Sequence, residues 1–211
     1  ETIVSIFVNP TQFNQKKDFK NYPRDIDNDI LILKKLKVNY LFLPAVNEIY
    51  KKKMKNFKLN KSDKILCAKY RKGHFEGVLN VMNRMLSIVR SKHVFMGEKD
   101  FQQYKLIKRI LGKKYKIKIV GCPTIRERNR IAFSTRNNLL KKSEIKSASK
   151  IANKLIKLKK LPQANKSINL SKYKVELEKK FKIKIDYLEF RDEKKMKLDN
   201  FKSKYRLFIA Y

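Results

Sequence analysis

The chain has 211 residues, 42% of them hydrophobic, and includes 13 Phe and 10 Tyr. That length and composition fit a globular protein of one large domain or two small ones. No apolar run is long enough to span a membrane, and the opening residues lack the basic leader of a signal peptide. The two distant cysteines, Cys67 and Cys122, form no metal-binding motif and are typical of reduced thiols in a cytoplasmic protein.

The net charge of +35 raises the question of nucleic-acid binding. Lys far outnumbers Arg, although recognition of phosphates and bases favours Arg, and the lysines are spread along the whole chain. We therefore expect non-specific binding to polyanions at low salt and no specific nucleic-acid partner. A basic nucleic-acid-binding module without catalysis remains the alternative from a different functional class.

In the first part of the chain, short apolar runs alternate with amphipathic segments. Helices are predicted from Asp25 onwards, from a cap at Asn47 through Met54, over 75–89, and over 100–111 with Gly112 as the C′ residue. The predicted strands cover 2–9, 38–43, 93–96 and 117–120, with a weaker candidate at 65–68. Such alternation predicts βαβ crossovers and a parallel sheet.

The pattern changes near residue 125. Two Lys-rich amphipathic helices are predicted over 143–161 and 173–181, followed by a half-buried strand over 183–190 and another over 205–211. The sequence therefore predicts an α/β protein, with a Rossmann-like domain at residues 1–124 and a small α+β domain at residues 125–211.

Polar residues suited to binding phosphates and small acids follow the predicted strands, where open parallel sheets bind their ligands. Gly97 allows close approach of a ligand, and Lys99 can neutralise phosphate charge. Each residue also has a structural interpretation: Gly97 as a turn, Asp100 or Ser134 as a helix cap, and His74 as a packed side chain.

The combination of these segments is more specific than any one of them. In order and in spacing they resemble the pantothenate synthetases over essentially the whole chain. The motifs that carry the resemblance are SIFVNPTQF, YPRDIDND, KGHFEGV, VFMGEKDFQQ, PTIRE, STRN and YLEFRD. The resemblance implies an α/β nucleotidyltransferase fold and an ATP-dependent ligase that joins pantoate to β-alanine through pantoyl adenylate. It also implies a homodimer.

The resemblance further implies a role for each matched residue. Gln12 and Gln103 would bind pantoate, with Asn9 supporting their pocket. A second set would bind ATP: Gly97, Glu98, Lys99, Asp100, Ile125, Phe133, Ser134, Thr135 and Arg136. His74 and Arg71 would border the same cleft, and their roles are less specific. Lys99 and Arg136, together with Mg²⁺, would neutralise the charge that builds up when a carboxylate attacks ATP.

The chain also departs from the family pattern. It contains no HxGH-type motif, which the family places before the NPTQF strand, and the residues Arg128–Ile131 replace an Asp-Gly turn. We interpret the chain as an internal fragment of an active enzyme and expect negligible turnover from the fragment itself. Two further alternatives are another adenylyltransferase with a different acceptor acid and an inactive paralogue. The retained Gln12, Lys99 and Arg136 argue against the paralogue.

Overall fold

The computed structural model describes residues 1–13, 16–50, 56–160, 168–198 and 204–211. The chain forms two compact units, Glu1–Thr124 and Ile125–Tyr211. Each unit has its own strands and its own packed helices.

Four short strands of apolar and β-branched residues form the sheets of the first unit. They are β1 (Ile3–Ser5), β2 (Tyr40–Phe42), β3 (His93–Gly97) and β4 (Lys118–Cys122). Strand β1 pairs with β2 and β3 pairs with β4, and both pairs are parallel. The predicted parallel strands are therefore confirmed, although the first is shorter than predicted.

Helices connect these strands. They are α1 (Lys16–Lys20), α2 (Ile26–Lys35), α3 (Val46–Tyr50), α4 (Cys67–Tyr70), α5 (His74–Ile88), α6 (Phe101–Ile107) and α7 (Lys113–Tyr115). Helix α2 begins where the helical pattern was predicted to start, and the Asp25 side chain caps it by accepting the N–H of Asn28 at 3.2 Å. Asp27 and Asp29 lie in its first turn, where negative charge is favourable.

Helix α5 is the centre of the first unit. Its apolar face is buried and includes Val78, Val81 and Met85, which have at most 8% of their surface exposed. Val81 and Met85 form a core cluster with Ile49 of α3. The helical period of apolar residues along 75–89 thus marks the face that packs.

Two local predictions around α3 and α4 are wrong. Asn47 lies inside α3, and the backbone N–H before that helix is bound instead by Glu48, whose Oε2 accepts from Ala45 at 2.6 Å. The predicted continuation of this helix to Met54 lies mostly outside the described residues. Residues 65–68 form no strand, because α4 begins at Cys67 after a left-handed Leu66 (φ 48°).

Gly112 does not end its helix. It closes a π-helical stretch, Lys108–Gly112, that continues into α7, and the left-handed residue that ends the segment is Lys116. A Cβ atom at Gly112 would lie 3.2 Å from the Ile119 side chain of β4. The glycine therefore allows close helix–strand packing, which its position near the helix end did not indicate.

The second unit is an α+β arrangement. It contains α8 (Lys142–Lys160), α9 (Leu170–Phe181) and the antiparallel strands β5 (Tyr187–Asp192) and β6 (Tyr205–Ala210). Leu177 of α9 and Leu188 of β5 are buried together with Ile185, which precedes the strand. Strand β5 is not half-buried as predicted, since Arg191 is also buried and its guanidinium pairs with Glu189 at 2.6 Å.

Gly77 allows α5 to lie directly against the turn that follows β1. A Cβ atom at this position would lie 2.5 Å from the backbone oxygen of Thr11, which is closer than real Cβ contacts. We expect Gly77→Ala to lower the free energy of unfolding by about 1–3 kcal/mol through overpacking. That loss exceeds the gain in helix propensity, which is about 1 kcal/mol. Urea denaturation measures the difference.

Gly97→Ala is the matched control, because a Cβ atom at Gly97 has no neighbour within 4 Å. Its free energy of unfolding should equal that of the wild type or exceed it slightly. Equal stabilities for the two alanine variants would contradict the importance of the Gly77 contact.

Candidate active site

A buried asparagine organises the turn after β1. Asn9 has only 1% of its surface exposed and caps the 3-10 turn Pro10–Gln12. Its Oδ1 accepts from the N–H of Thr11 at 3.3 Å and from the hydroxyl of Tyr50 at 2.5 Å. Its Nδ2 donates to the backbone oxygen of Gly77 at 3.3 Å. One side chain therefore joins the turn to both α3 and α5.

The orientation of the Asn9 amide follows from two partners that each have a single possible role. The N–H of Thr11 can only donate and the carbonyl of Gly77 can only accept, so Oδ1 must face the first and Nδ2 the second. The hydroxyl groups of Thr11 and Tyr50, which lie 2.9 Å apart, complete the set around Oδ1. The amide is thus held in one orientation.

Gln12 and His74 belong to the same cluster. Asn9 Nδ2 donates to Gln12 Oε1 at 3.4 Å, and His74 Nδ1 lies 2.7 Å from the Gln12 backbone oxygen. Because that oxygen only accepts, Nδ1 carries the hydrogen. His74 is buried at the start of α5 and contacts the Phe75 ring edge-on at 4.9 Å. The structure therefore brings Asn9, Gln12 and His74 together, and it gives His74 a structural contact.

The pKa of the Tyr50 hydroxyl is raised by burial, which outweighs the lowering effect of its hydrogen bonds with Thr11 and Asn9. The hydroxyl consequently keeps its proton throughout the neutral range and can act as a donor to Asn9.

The second group of predicted site residues follows β3. Gly97 lies opposite Cys122 at the carboxyl ends of the parallel strands β3 and β4. Glu98, Lys99 and Asp100 form a 3-10 turn that leads into α6. Gly121 leaves room for Glu98, since a Cβ atom there would lie 2.7 Å from the Glu98 carboxylate. This is the edge of a parallel sheet at which ligands bind.

The two glutamines at the start of α6 have different environments. Gln102 is buried, and its Nε2 donates to the backbone oxygens of Asp63 at 3.2 Å and of Ile65 at 2.8 Å. Gln103 is partly exposed and makes no side-chain hydrogen bond within the described part of the chain. The structure thus leaves Gln103 available to bind a ligand and gives Gln102 a role in anchoring the segment 60–66.

The contrast predicts that the two alanine variants differ in stability. We expect Gln102→Ala to lower the free energy of unfolding by about 1–3 kcal/mol, because the backbone oxygens of Asp63 and Ile65 lose the hydrogen bonds from this buried amide. Gln103→Ala should change it by less than about 0.5 kcal/mol, as at ordinary surface positions. Thermal unfolding of both variants tests this, and an equal loss for the two would show that Gln103 also has a structural contact.

In the second unit, a hairpin presents the remaining predicted residues. Its two sides are joined by a bridge between Arg126 and Ala132 and by a bond from the Phe133 N–H to the Ile125 oxygen at 3.1 Å. The Glu127 carboxylate accepts from Asn137 at 2.7 Å and from Asn129 at 3.0 Å. These bonds fix both ends of the segment that carries Phe133, Ser134, Thr135 and Arg136.

Ser134 caps the 3-10 helix Thr135–Leu139 by accepting the N–H of Arg136 at 3.3 Å. The predicted capping role is therefore confirmed. Capping uses the hydroxyl oxygen as an acceptor and leaves its hydrogen available for a ligand.

Arg130 lies in the turn of this hairpin, within residues 128–131, and has a left-handed backbone (φ 74°). This conformation favours glycine. Arginine adopts it here, at the point where the resemblance led us to expect an Asp-Gly turn. The Arg130 carbonyl accepts from Arg126 at 3.1 Å, which helps to hold the turn.

Reasoning from the sequence missed one residue of the first unit and two of the second that hold predicted site residues in place. Tyr50 stood in no motif, and Glu127 and Asn137 were quoted within motifs without a role. A glycine inside an apolar helix, Gly77, was the available signal that another backbone approaches α5 closely.

Among the described residues, no group of three or more His, Cys, Asp or Glu side chains is placed to hold a metal ion. None of the helices described has both the length and the apolar character that crossing a bilayer requires.

A sequence model of the pantoate-β-alanine ligase family matches residues 1–211. A bifunctional pantoate ligase/cytidylate kinase from Prochlorococcus marinus is 41% identical over 192 residues, which are 89% of this chain and 38% of that protein. The pantothenate synthetase of Flavobacterium psychrophilum is 37% identical over 217 residues, which are 99% of this chain and 77% of that protein. The chain thus spans well under half of the bifunctional relative.

Two crystal structures resemble this one, each with a TM-score of 0.78. One is the pantoate-β-alanine ligase of Francisella tularensis complexed with β-γ ATP and β-alanine, at 36% identity and covering 89% of this chain and 70% of that one. The other is the pantothenate synthetase of Thermus thermophilus, at 26% identity and covering 94% of this chain and 74% of that one. The predicted α/β nucleotidyltransferase-like fold is confirmed.

Proposed function

Since the chain belongs to the pantoate-β-alanine ligase family, we propose that it contributes the catalytic core of an enzyme that joins pantoate to β-alanine with ATP. The observation that carries this proposal is the family match over the whole chain. The neutral amides of Gln12 and Gln103 support it, because they suit a small polyhydroxy acid.

The proposed reaction has two steps. A pantoate carboxylate oxygen attacks the α-phosphorus of ATP, the bond to the β-phosphate breaks, and pyrophosphate leaves. The β-alanine amine then attacks the acyl carbon of pantoyl adenylate, forming the amide, losing a proton and releasing AMP. ATP and β-alanine are supported as ligands by the Francisella tularensis complex that contains β-γ ATP and β-alanine.

The first step brings two anions together, so catalysis depends on positioning and on neutralising charge. We assign Gln12 and Gln103 to pantoate, with Asn9 holding Gln12. Lys99 supplies positive charge at the nucleotide phosphates. Gly97, Glu98 and Asp100 surround the ribose and phosphates, and the open space beside Gly97 is where the nucleotide would approach the backbone. Arg71 and His74 border the cleft.

The hairpin of the second unit carries the other residues that we assign to the nucleotide. The Ile125 carbonyl is bound to the Phe133 N–H, so its own N–H is the group we assign to an adenine ring nitrogen. Phe133, Ser134, Thr135 and Arg136 would clamp the phosphates. Such a clamp would also keep water from the reactive mixed anhydride.

Mg²⁺ would arrive with ATP. This ion typically keeps several waters and binds through substrate phosphates and one or two carboxylates, so it needs no dedicated protein cage. The described residues contain no such cage. The ion would help to neutralise phosphate charge, the task that we also assign to Lys99 and to Arg136.

We further propose a homodimer in the cytoplasm. Helix α2 buries none of its side chains, and Leu31, Ile32 and Leu36 have between 45% and 69% of their surface exposed. Exposed apolar surface of this kind is typical of a protein–protein interface. The cysteines Cys67 and Cys122 form no disulfide, as is usual in that compartment.

Pantoate-dependent exchange of labelled pyrophosphate into ATP, measured with Mg²⁺ on the full-length protein, tests the function. We expect exchange that requires pantoate and does not require β-alanine, because the adenylate forms in the first step. A folded protein that shows no exchange with pantoate, or shows it with another acid instead, would contradict the assignment.

Lys99→Ala should lower kcat of that exchange by about 10²–10³, the usual cost of removing one preorganised charge from a transition state. Lys118→Ala is the matched control, since it removes the same charge from the amino end of β4, far from Gly97 along the paired strands. We expect the control to retain the wild-type rate. Similar losses in both variants would mean that general surface charge, and not Lys99, matters.

A further inference from the structure

We infer that Tyr50 is a positioning residue for pantoate, whose hydroxyl acts through Asn9 to hold Gln12 with its amide NH₂ turned toward the substrate. The inference rests on the proposed function, in which Gln12 binds pantoate, and it adds a residue that belongs to none of the sequence motifs.

The path from Tyr50 to Gln12 consists of two hydrogen bonds. The Tyr50 hydroxyl donates to Asn9 Oδ1 at 2.5 Å, and Asn9 Nδ2 donates to Gln12 Oε1 at 3.4 Å. Asn9 is buried, so water cannot readily replace either partner. Loss of the Tyr50 hydroxyl would therefore leave the amide with fewer constraints.

The direction of these bonds determines what Gln12 offers a ligand. The two hydrogens of Asn9 Nδ2 point to the Gly77 oxygen and to Gln12 Oε1. If the Gln12 amide were reversed, its NH₂ would face another NH₂, and two donors repel. Gln12 must therefore direct its own NH₂ away from Asn9. A donor in that position suits the carboxylate and hydroxyl oxygens of pantoate.

Tyr50 is well placed to fix this geometry. It is the last residue of α3 and follows Ile49, which is 1% exposed and packed with Val81 and Met85 of α5. The hydroxyl therefore comes from an element anchored in the core, whereas Asn9 and Gln12 lie in a short turn. Its contact with the Thr11 hydroxyl at 2.9 Å ties the turn to α3 a second time.

Tyr50→Phe removes only the hydroxyl and keeps the ring. We expect the KM for pantoate to rise about tenfold in the full-length protein, while the KM values for ATP and β-alanine change less than twofold. Tyr40→Phe is the control: Tyr40 is exposed, and among the residues that the structure describes its hydroxyl reaches only Glu1, at 3.4 Å. An unchanged pantoate KM in Tyr50→Phe would overturn the inference, as would an equal rise in all three KM values.

A double-mutant cycle separates positioning from general stability. In a Gln12→Ala background, Tyr50→Phe should change the dissociation constant of pantoate, measured by calorimetry, less than twofold, because the group it positions is gone. A tenfold loss of pantoate affinity in both backgrounds would mean that Tyr50 does not act through Gln12.

If Tyr50→Phe fails to fold, Thr11→Val provides a second test, because it removes the neighbouring hydroxyl. This variant should raise the KM for pantoate and not the other two KM values, and an unchanged KM for pantoate would overturn the inference.

The two proposals fail in different ways. A wild-type protein without pantoate-dependent exchange contradicts the proposed function. A wild-type protein that is active, together with a Tyr50→Phe variant of unchanged pantoate KM, contradicts only the role of Tyr50.

Discussion

The contact between the Asn9–Gln12 turn and the start of α5 is the constraint on which the candidate pantoate site depends. Gly77 lets the helix touch the backbone of Thr11, and the Gly77 oxygen then binds Asn9. Because α5 also packs against α6, one buried helix supports both the turn and the element that carries Gln103. The two glutamines proposed to bind pantoate therefore share one rigid support.

Neutral amides and cations have separate tasks in this arrangement. The turn after β1 is held by amide and hydroxyl groups, whose dipoles can orient a small acid without binding it as tightly as a charge would. The cations Lys99 and Arg136 are exposed and lie in segments assigned to the nucleotide. A protein with a net charge of +35 has many positive side chains, which attract any anion. Selectivity for pantoate therefore has to come from fixed, uncharged groups.

Much of the fold and part of the site could be predicted from the sequence. Apolar periodicity located α5 and the four parallel strands, because burial imposes that periodicity directly. The prediction of Gly112 as a C′ residue was wrong. A glycine near the end of a helix has the same sequence pattern whether it ends the helix or makes room for a packed strand. Tyr50 was missed because its partner Asn9 lies 41 residues away in the sequence, and only the fold brings the two together.

The residue that follows Asn9 protects this arrangement over time. Asparagine side chains deamidate in ageing proteins when the next backbone nitrogen attacks the amide carbon and forms a cyclic imide. Pro10 has no N–H, so that route is closed at this position. Conversion to aspartate would remove the amide nitrogen that donates to both Gly77 and Gln12. The Asn-Pro pair thus makes the turn chemically durable as well as geometrically fixed.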